Sequence, residues 1–374
     1  MTIIKNDLIN SLLNLTPESE LVQIRLERPV ATENTQAAFE AIFSTPSVEL
    51  PTNVKYYFAY ETAKQTGSQI LANHYLAQLN AQPEVIFSPA LELAKKYLLI
   101  LVNTPKATDF TLIQQFIDLG WSESDIILLA QLITFVTYQA RLVDGFSLLE
   151  NHNSHQIKTN KVVAGKWNNR PTTQKGQPSP TVFTQDELGW ESWLTAREAS
   201  NLDTEETQTM KKFGQLNSEY FLLLAHQSKI LEIRTLIDRG IFYTSGGLAR
   251  WERELAAAVV SKVNGCIYCA SVHARKASQY AKEHRTDVDN LLATPSGTIL
   301  ADGYDDRLQT IIDFVASLSA TPIQSSSEQI TALRSLGLSE LELLDLIQST
   351  AFFAWANRLM LSLGEPFEIT KNKE

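Results

Sequence analysis

Along most of this chain apolar residues recur at intervals of three and four, the period that gives an α-helix one buried face. From about residue 5 to 43 the pattern predicts amphipathic helix, with Ile9, Leu12, Leu13 and Leu21 turned to a core and Pro17 and Pro29 dividing the region. A Pro-containing break over 45–51 precedes predicted helices at 53–65, 68–80 and 89–103. After Thr104-Pro105 come 110–119 and 123–149, the last with Ser122 as N-cap and Asp125 three residues on. The periodicity then stops. Residues 151–180 are rich in Asn, Thr, Lys, Gln and Pro and read as a linker or a long solvent-exposed loop. Helices are predicted again at 191–199, 204–213 and 218–238, and further on at 288–292, 305–319, 326–336 and 340–363. No segment carries the sustained β-branched alternation of a sheet. The expected fold class is all-α.

The same pattern repeats. Residues 91–142 align without gaps on 308–359: Thr-Pro closes a helix in both, and both then carry Leu-Gly-x-Ser-Glu. Gln131 matches Gln348, Phe135 matches Phe352, and Arg141-Leu142 match Arg358-Leu359. Upstream, placing His74 on His273 superposes 55–77 on 254–276, so that Lys55 stands at Glu254, Gly67 at Cys266 and Ile70 at Cys269. The two alignments run at different offsets, which expects an insertion within 278–305 of the second copy. The expected organisation is a thiol-free helical domain over 1–150, a polar segment over 151–185 and a second helical domain over 186–374 that carries both cysteines.

Composition narrows the function classes. With 374 residues, 44% of them apolar, the chain has ample size for a core. A net charge of −10 argues against a general nucleic-acid or anionic-membrane partner. The N-terminal stretch has Lys5 and Asp7 inside its apolar run and does not read as a signal peptide, and 126–138 is interrupted by Gln131 and too short to span a bilayer. A cytoplasmic location is therefore expected. In a reducing compartment two cysteines three apart point to redox or metal chemistry rather than to a structural staple. His152 and His155 have no other ligand types beside them and read as polar loop residues.

The candidate chemistry lies in 251–276, WERELAAAVVSKVNGCIYCASVHARK. Cys266, Cys269 and His273 fall at i, i+3 and i+7, one face of a helix. Asn264-Gly265 is a turn signal, so Glu254 belongs to a preceding helix and the cysteines to the first turn of the next, where the helix dipole favours a thiolate. Glu254 and His273, directly or through a water, are placed to take the Cys269 proton. The thiolate would attack a peroxide O–O bond, and Cys266 would condense with the resulting sulfenic acid to a disulfide that an external dithiol reduces. Arg253, Lys262 and Arg275 add positive charge, unless they simply face solvent. The competing readings are a zinc site, for which this chain is short of ligands, two buried small residues without chemistry, and a Glu254 that is solvated like its surface-like neighbours Glu252 and Arg253.

The run GGLARWERELAAAVVSKVNGCIYCASVH resembles the alkylhydroperoxidase D-like branch of the carboxymuconolactone decarboxylase family, in which Glu precedes a CxxC by twelve residues and His follows the second Cys by four. Glu254, Cys266, Cys269 and His273 match every interval. The resemblance implies an all-α fold, here duplicated as in larger two-domain members, with homo-oligomeric assembly and peroxidase or disulfide-reductase chemistry. It implies Cys269 as the peroxidatic thiol, Cys266 as the resolving thiol, and Glu254 and His273 as a proton relay. Tyr268 stands where well-studied members carry a second His and is taken as an auxiliary position. The expected function is a thiol-dependent hydroperoxide reductase using no cofactor or metal. Its partners would be a small-molecule hydroperoxide and a dithiol protein or small thiol, not nucleic acid or membrane. The alternatives are a non-enzymatic thiol redox sensor or scaffold, and a decarboxylase or isomerase acting on a small cyclic acid.

Overall fold

The computed structural model describes residues 7–150, 161–167 and 170–369; His152 and His155 lie outside them. The first half runs α1 (Leu8–Leu12), α2 (Glu20–Leu26), α3 (Pro29–Ser44), α4 (Thr52–Thr66), α5 (Gln69–Asn80), α6 (Pro89–Asn103), α7 (Phe110–Asp118) and α8 (Glu123–Leu149). After β1 (Leu188–Ser192) come α9 (Thr204–Phe213), α10 (Glu219–Leu224), α11 (Ser228–Phe242), α12 (Arg250–Asn264) and α13 (Ile267–Tyr280). The chain closes with α14 (Arg285–Ala293), α15 (Asp306–Ser319), α16 (Ser327–Ser335), α17 (Glu340–Leu363) and β2 (Gly364–Glu368). The starts follow local chemistry: Asp109, Ser122, Asp305 and Ser339 each accept a backbone N–H from the first turn of the helix they begin. The fold is all-α apart from one short ribbon.

The helices α8 and α17 form the centre. Trp355 donates to Gln131 at 2.9 Å, and a Cβ on Gly145 would lie 2.6 Å from Ile347, so the two helices run antiparallel in close approach. α8 is long and apolar enough to cross a membrane, yet its most apolar window is wholly buried inside the fold. That burial explains its all-round hydrophobicity.

The duplication is visible in the elements. α6, α7 and α8 recur as α15, α16 and α17 in the register read from the sequence. Arg141 on α8 donates to the carbonyls of Ser319 and Ala320 at the end of α15, while Arg358 on α17 donates to Val102 near the end of α6. Each half grips the other. Upstream, however, the register differs by one residue from the sequence alignment. Gly67 and Gly265 are the left-handed C-caps of α4 and α12, which places Tyr56 at Glu254, Ser68 at Cys266, Leu71 at Cys269 and Tyr75 at His273. Lys55 therefore corresponds to Arg253: each reaches from its helix to the carbonyls ending the preceding long helix. His74 corresponds to Val272 and is a half-buried helix residue whose imidazole pKa is lowered by burial. The longer connection in the second copy falls between α13 and α15 and contains α14.

Two predicted helices change. Residues 191–199 form no α-helix: 188–192 pairs antiparallel with 364–368, Trp190 opposite Pro366, and only a 3-10 turn begins at Ala199. No alternation announces this ribbon because tertiary partners hold it. Glu219 accepts from the backbone and hydroxyl of Ser192, and the Phe367 ring lies where a Cβ on Gly189 would be. The helix predicted over 218–238 is divided by a 3-10 turn at Ala225–Gln227 into α10 and α11. The described part of the polar segment is also held. Gly165 N–H donates to Lys262 O at 2.8 Å, Ala164 to Thr298 O at 2.8 Å, and Glu365 accepts from the backbone of Gln174.

Candidate active site

The site is built by α12 and α13 around Gly265. Its φ of +75° turns the chain between the helices, and a Cβ there would lie 2.4 Å from the Lys166 carbonyl, so the strap over 161–167 closes directly on the turn. Cys266 is the N-cap of α13 and Cys269 follows one turn on, their sulfurs 3.0 Å apart as free thiols. Disulfide formation requires closure by about 1 Å. Both are buried, Cys266 at 1% and Cys269 at 5% exposure.

The expectation of a helix-start thiolate at Cys266 is not met. Burial pushes its thiol well above the ordinary range, and the neighbouring Cys269 sulfur adds to the effect. Desolvation outweighs the dipole of the helix end. Cys266 rests as a neutral thiol.

Glu254 is fully buried, so the solvated reading is excluded. Its Oε2 meets His273 Nδ1 at 2.5 Å and its Oε1 meets Arg250 Nε at 2.7 Å. Burial alone would raise this carboxyl. The charge and hydrogen bond of His273, with Lys276 and Arg250, outweigh it and hold the pKa at about 2. An ionised Glu254 accepts the Nδ1 proton, which leaves Nε2 as the imidazole nitrogen with a free lone pair. Phe353 stands edge-on to His273 with centroids 4.2 Å apart, and Phe242 lies 5.9 Å away. This arrangement is a buried dithiol beside a carboxylate-oriented imidazole in an aromatic enclosure.

The other predicted cations do different work. Arg253 ties the end of α11 through Ile241 O and Thr244 O, Lys262 binds Leu292 O and Thr294 O, and Arg275 binds Gln185 O. Glu252 pairs with Arg307 at 2.9 Å and is buried rather than surface-like. Tyr268 is half-buried, and burial raises its phenol to about 12, with Cys269 contributing. Residues missed from sequence are Arg250, visible in principle as an i,i+4 partner of Glu254, and Phe353, which comes from the repeat helix α17 and has no local signal. Asp238 on α11 is also new: burial raises its carboxyl, with His273 and Arg234 opposing. Among the described residues no group of three or more His, Cys, Asp or Glu is placed to hold a metal. A cavity of about 660 Å³ lined by Phe110, Trp193 and Glu219 contains none of these site residues.

In the first half the matching positions are closed. Tyr56, Tyr75 and Phe43 fill the space with stacked and tilted rings, and Tyr75 donates to Gln139.

Residues 229–295 match the model of the carboxymuconolactone decarboxylase family. This segment holds α12, α13 and the whole dithiol site, so the similarity to that family falls on the site itself. No curated protein matches. Among solved structures, the chain is similar to an alkylhydroperoxidase AhpD core, an uncharacterized peroxidase-related protein from Ralstonia eutropha JMP134. The identity is 22%, covering 46% of this chain and 90% of that one, with a TM-score of 0.38. It is also similar to an uncharacterized peroxidase-related protein from Silicibacter sp. TM1040 at 23% identity, covering 45% and 86% respectively, with a TM-score of 0.38.

Proposed function

We propose that the protein is a thiol-dependent hydroperoxide reductase. The observation that carries this reading is the pair of free sulfurs at 3.0 Å, one helical turn from an imidazole that a buried carboxylate orients. The relay of Glu254 and His273 takes the Cys269 proton. The thiolate attacks the terminal peroxide oxygen, the O–O bond breaks, and the alkoxide leaves as an alcohol with a proton returned from His273. Cys269 is then a sulfenic acid. The Cys266 thiol attacks its sulfur, water leaves, and the disulfide is reduced by an external dithiol that is itself oxidised. Burial of Cys266 keeps the resolving thiol protonated until Cys269 is oxidised. No cofactor enters this cycle, and we place it in the cytoplasm in a homo-oligomer.

The test is intact mass and thiol counting before and after one equivalent of hydroperoxide, followed by turnover with a supplied dithiol. The parent should lose both thiols. Cys269→Ser should retain its thiol and abolish turnover, and Cys266→Ser should accumulate a sulfenic acid on Cys269. Retention of both thiols by the parent would overturn the reading. A second reading, acid–base chemistry of the decarboxylase or isomerase type, is favoured by one observation: the Glu254–His273 pair forms without help from either sulfur. It requires activity on a cyclic acid to survive replacement of both cysteines. Oxidation of the thiols without turnover would instead make the dithiol a redox sensor.

A further inference from the structure

The deeply buried arginines of this fold are engaged, with one exception. Arg28 forks onto Asp345 at 2.7 and 2.9 Å, and Arg141, Arg253 and Arg358 donate to carbonyls. Arg234 on α11 is 6% exposed and, among the described residues, makes neither a hydrogen bond nor an ion pair. Its guanidinium lies 5.1 Å over the Phe352 ring, 5.7 Å over Trp355 and 5.8 Å over Tyr220. Nε is sealed from water without a partner, while the two terminal nitrogens keep its residual exposure. The Tyr220 hydroxyl is likewise buried and unpartnered.

Cation–π contact offsets part of the cost of burying this charge, but unmade hydrogen bonds on both residues remain a penalty that an apolar pair would avoid. The position adjoins the dithiol. Phe352 lies 5.8 Å from Phe353, whose ring meets His273 at 4.2 Å, and negative charge on either cysteine would push the Tyr220 phenol further up. Asp238, four residues beyond Arg234, attracts it through space and bonds to neither Arg234 nor His273.

We propose that Arg234 and Tyr220 form a carboxylate subsite beside the dithiol, taking an amphiphilic monocarboxylate whose apolar body lies along Phe242, Phe352 and Phe353. One planar guanidinium with two free terminal nitrogens and one hydroxyl match a single planar negative charge. A dianion would need more donors, and Asp238 disfavours the added charge. In so far as it names the substrate, a carboxylate-bearing organic hydroperoxide, the inference rests on the peroxidase reading.

Calorimetric titration of the reduced protein with octanoate, and with octanamide as the neutral control, tests the subsite independently of turnover. Octanoate should bind, and the amide should bind at least about tenfold more weakly. Arg234→Gln should lose octanoate binding, Arg234→Lys should keep part of it through charge alone, and Tyr220→Phe should weaken it several-fold without lowering the melting temperature. No octanoate binding by the parent, equal affinity for the amide, or parental affinity in Arg234→Gln overturns the proposal. If Arg234→Gln does not fold, Arg234→Lys and Tyr220→Phe decide it. The thiol-oxidation experiment judges the redox reading separately, because octanoate binding requires no chemistry at sulfur.

Discussion

At the scale of single residues, Glu254 is the buried anchor of the proposed site. Its buried carboxylate holds His273 by Nδ1 and is itself held by Arg250, so it fixes both the tautomer and the orientation of the imidazole. Replacing it with Gln keeps the shape and removes the charge. Peroxide-driven thiol oxidation in Glu254→Gln should fall by about 10²–10⁴-fold, measured by stopped-flow mixing with excess hydroperoxide. The same residue shapes acid stability. Its carboxyl titrates near 2 in the folded protein against an ordinary 4.5, so the stability it contributes is complete above about pH 4.5 and is lost as pH falls toward 2. The contribution is at most about 3 kcal/mol. Urea unfolding between pH 2 and 5 should show a shallower acid limb in Glu254→Gln than in the parent; identical limbs would place the titration elsewhere.

At the scale of elements, the turn between α12 and α13 is the joint on which the site depends. Gly265 occupies the left-handed region and faces the Lys166 carbonyl at a distance no side chain tolerates. Gly265→Ala combines conformational strain with displacement of the strap, and should cost about 2 kcal/mol or more. Thermal melting checks the cost. Faster alkylation of Cys266 in the same variant would show that the strap shields the thiol. The helical elements themselves were readable from sequence because their caps and periodicity are local, as at Ser122 and Asp305. The ribbon of β1 and β2 was not, because Glu219 and Phe367 hold it from far along the chain.

At the scale of the molecule, two copies of one helical plan are locked together through α8 and α17. Arg141 and Arg358 are both buried and share the Thr321 hydroxyl as an acceptor. Removing either leaves carbonyls of the other half without a donor, so Arg141→Ala and Arg358→Ala should each cost about 2–4 kcal/mol. The double variant should cost less than the sum, as expected for groups with a shared partner, and urea denaturation would reveal strict additivity if the coupling were absent. The aromatic filling of the first half leaves one dithiol site per chain. Light scattering should find more than one chain per particle; a monomer would show that the internal pairing of halves replaces assembly between chains.

Taken alone, the sequence determined the all-α class, most helix bounds, the repeat of 91–142 on 308–359, and the spacing of Glu254, Cys266, Cys269 and His273. These are consequences of short-range order, which periodicity and caps record directly. It could not determine the upstream register, since one residue of slip leaves helical spacing almost unchanged and only the left-handed caps at Gly67 and Gly265 resolve it. Nor could it reveal that burial holds Cys266 as a thiol, that Arg253, Lys262 and Arg275 serve helix ends and loop carbonyls, or that Phe353 and Arg234 stand around the site. Those features arise from desolvation and from partners on other helices, and both exist only once the two halves have closed.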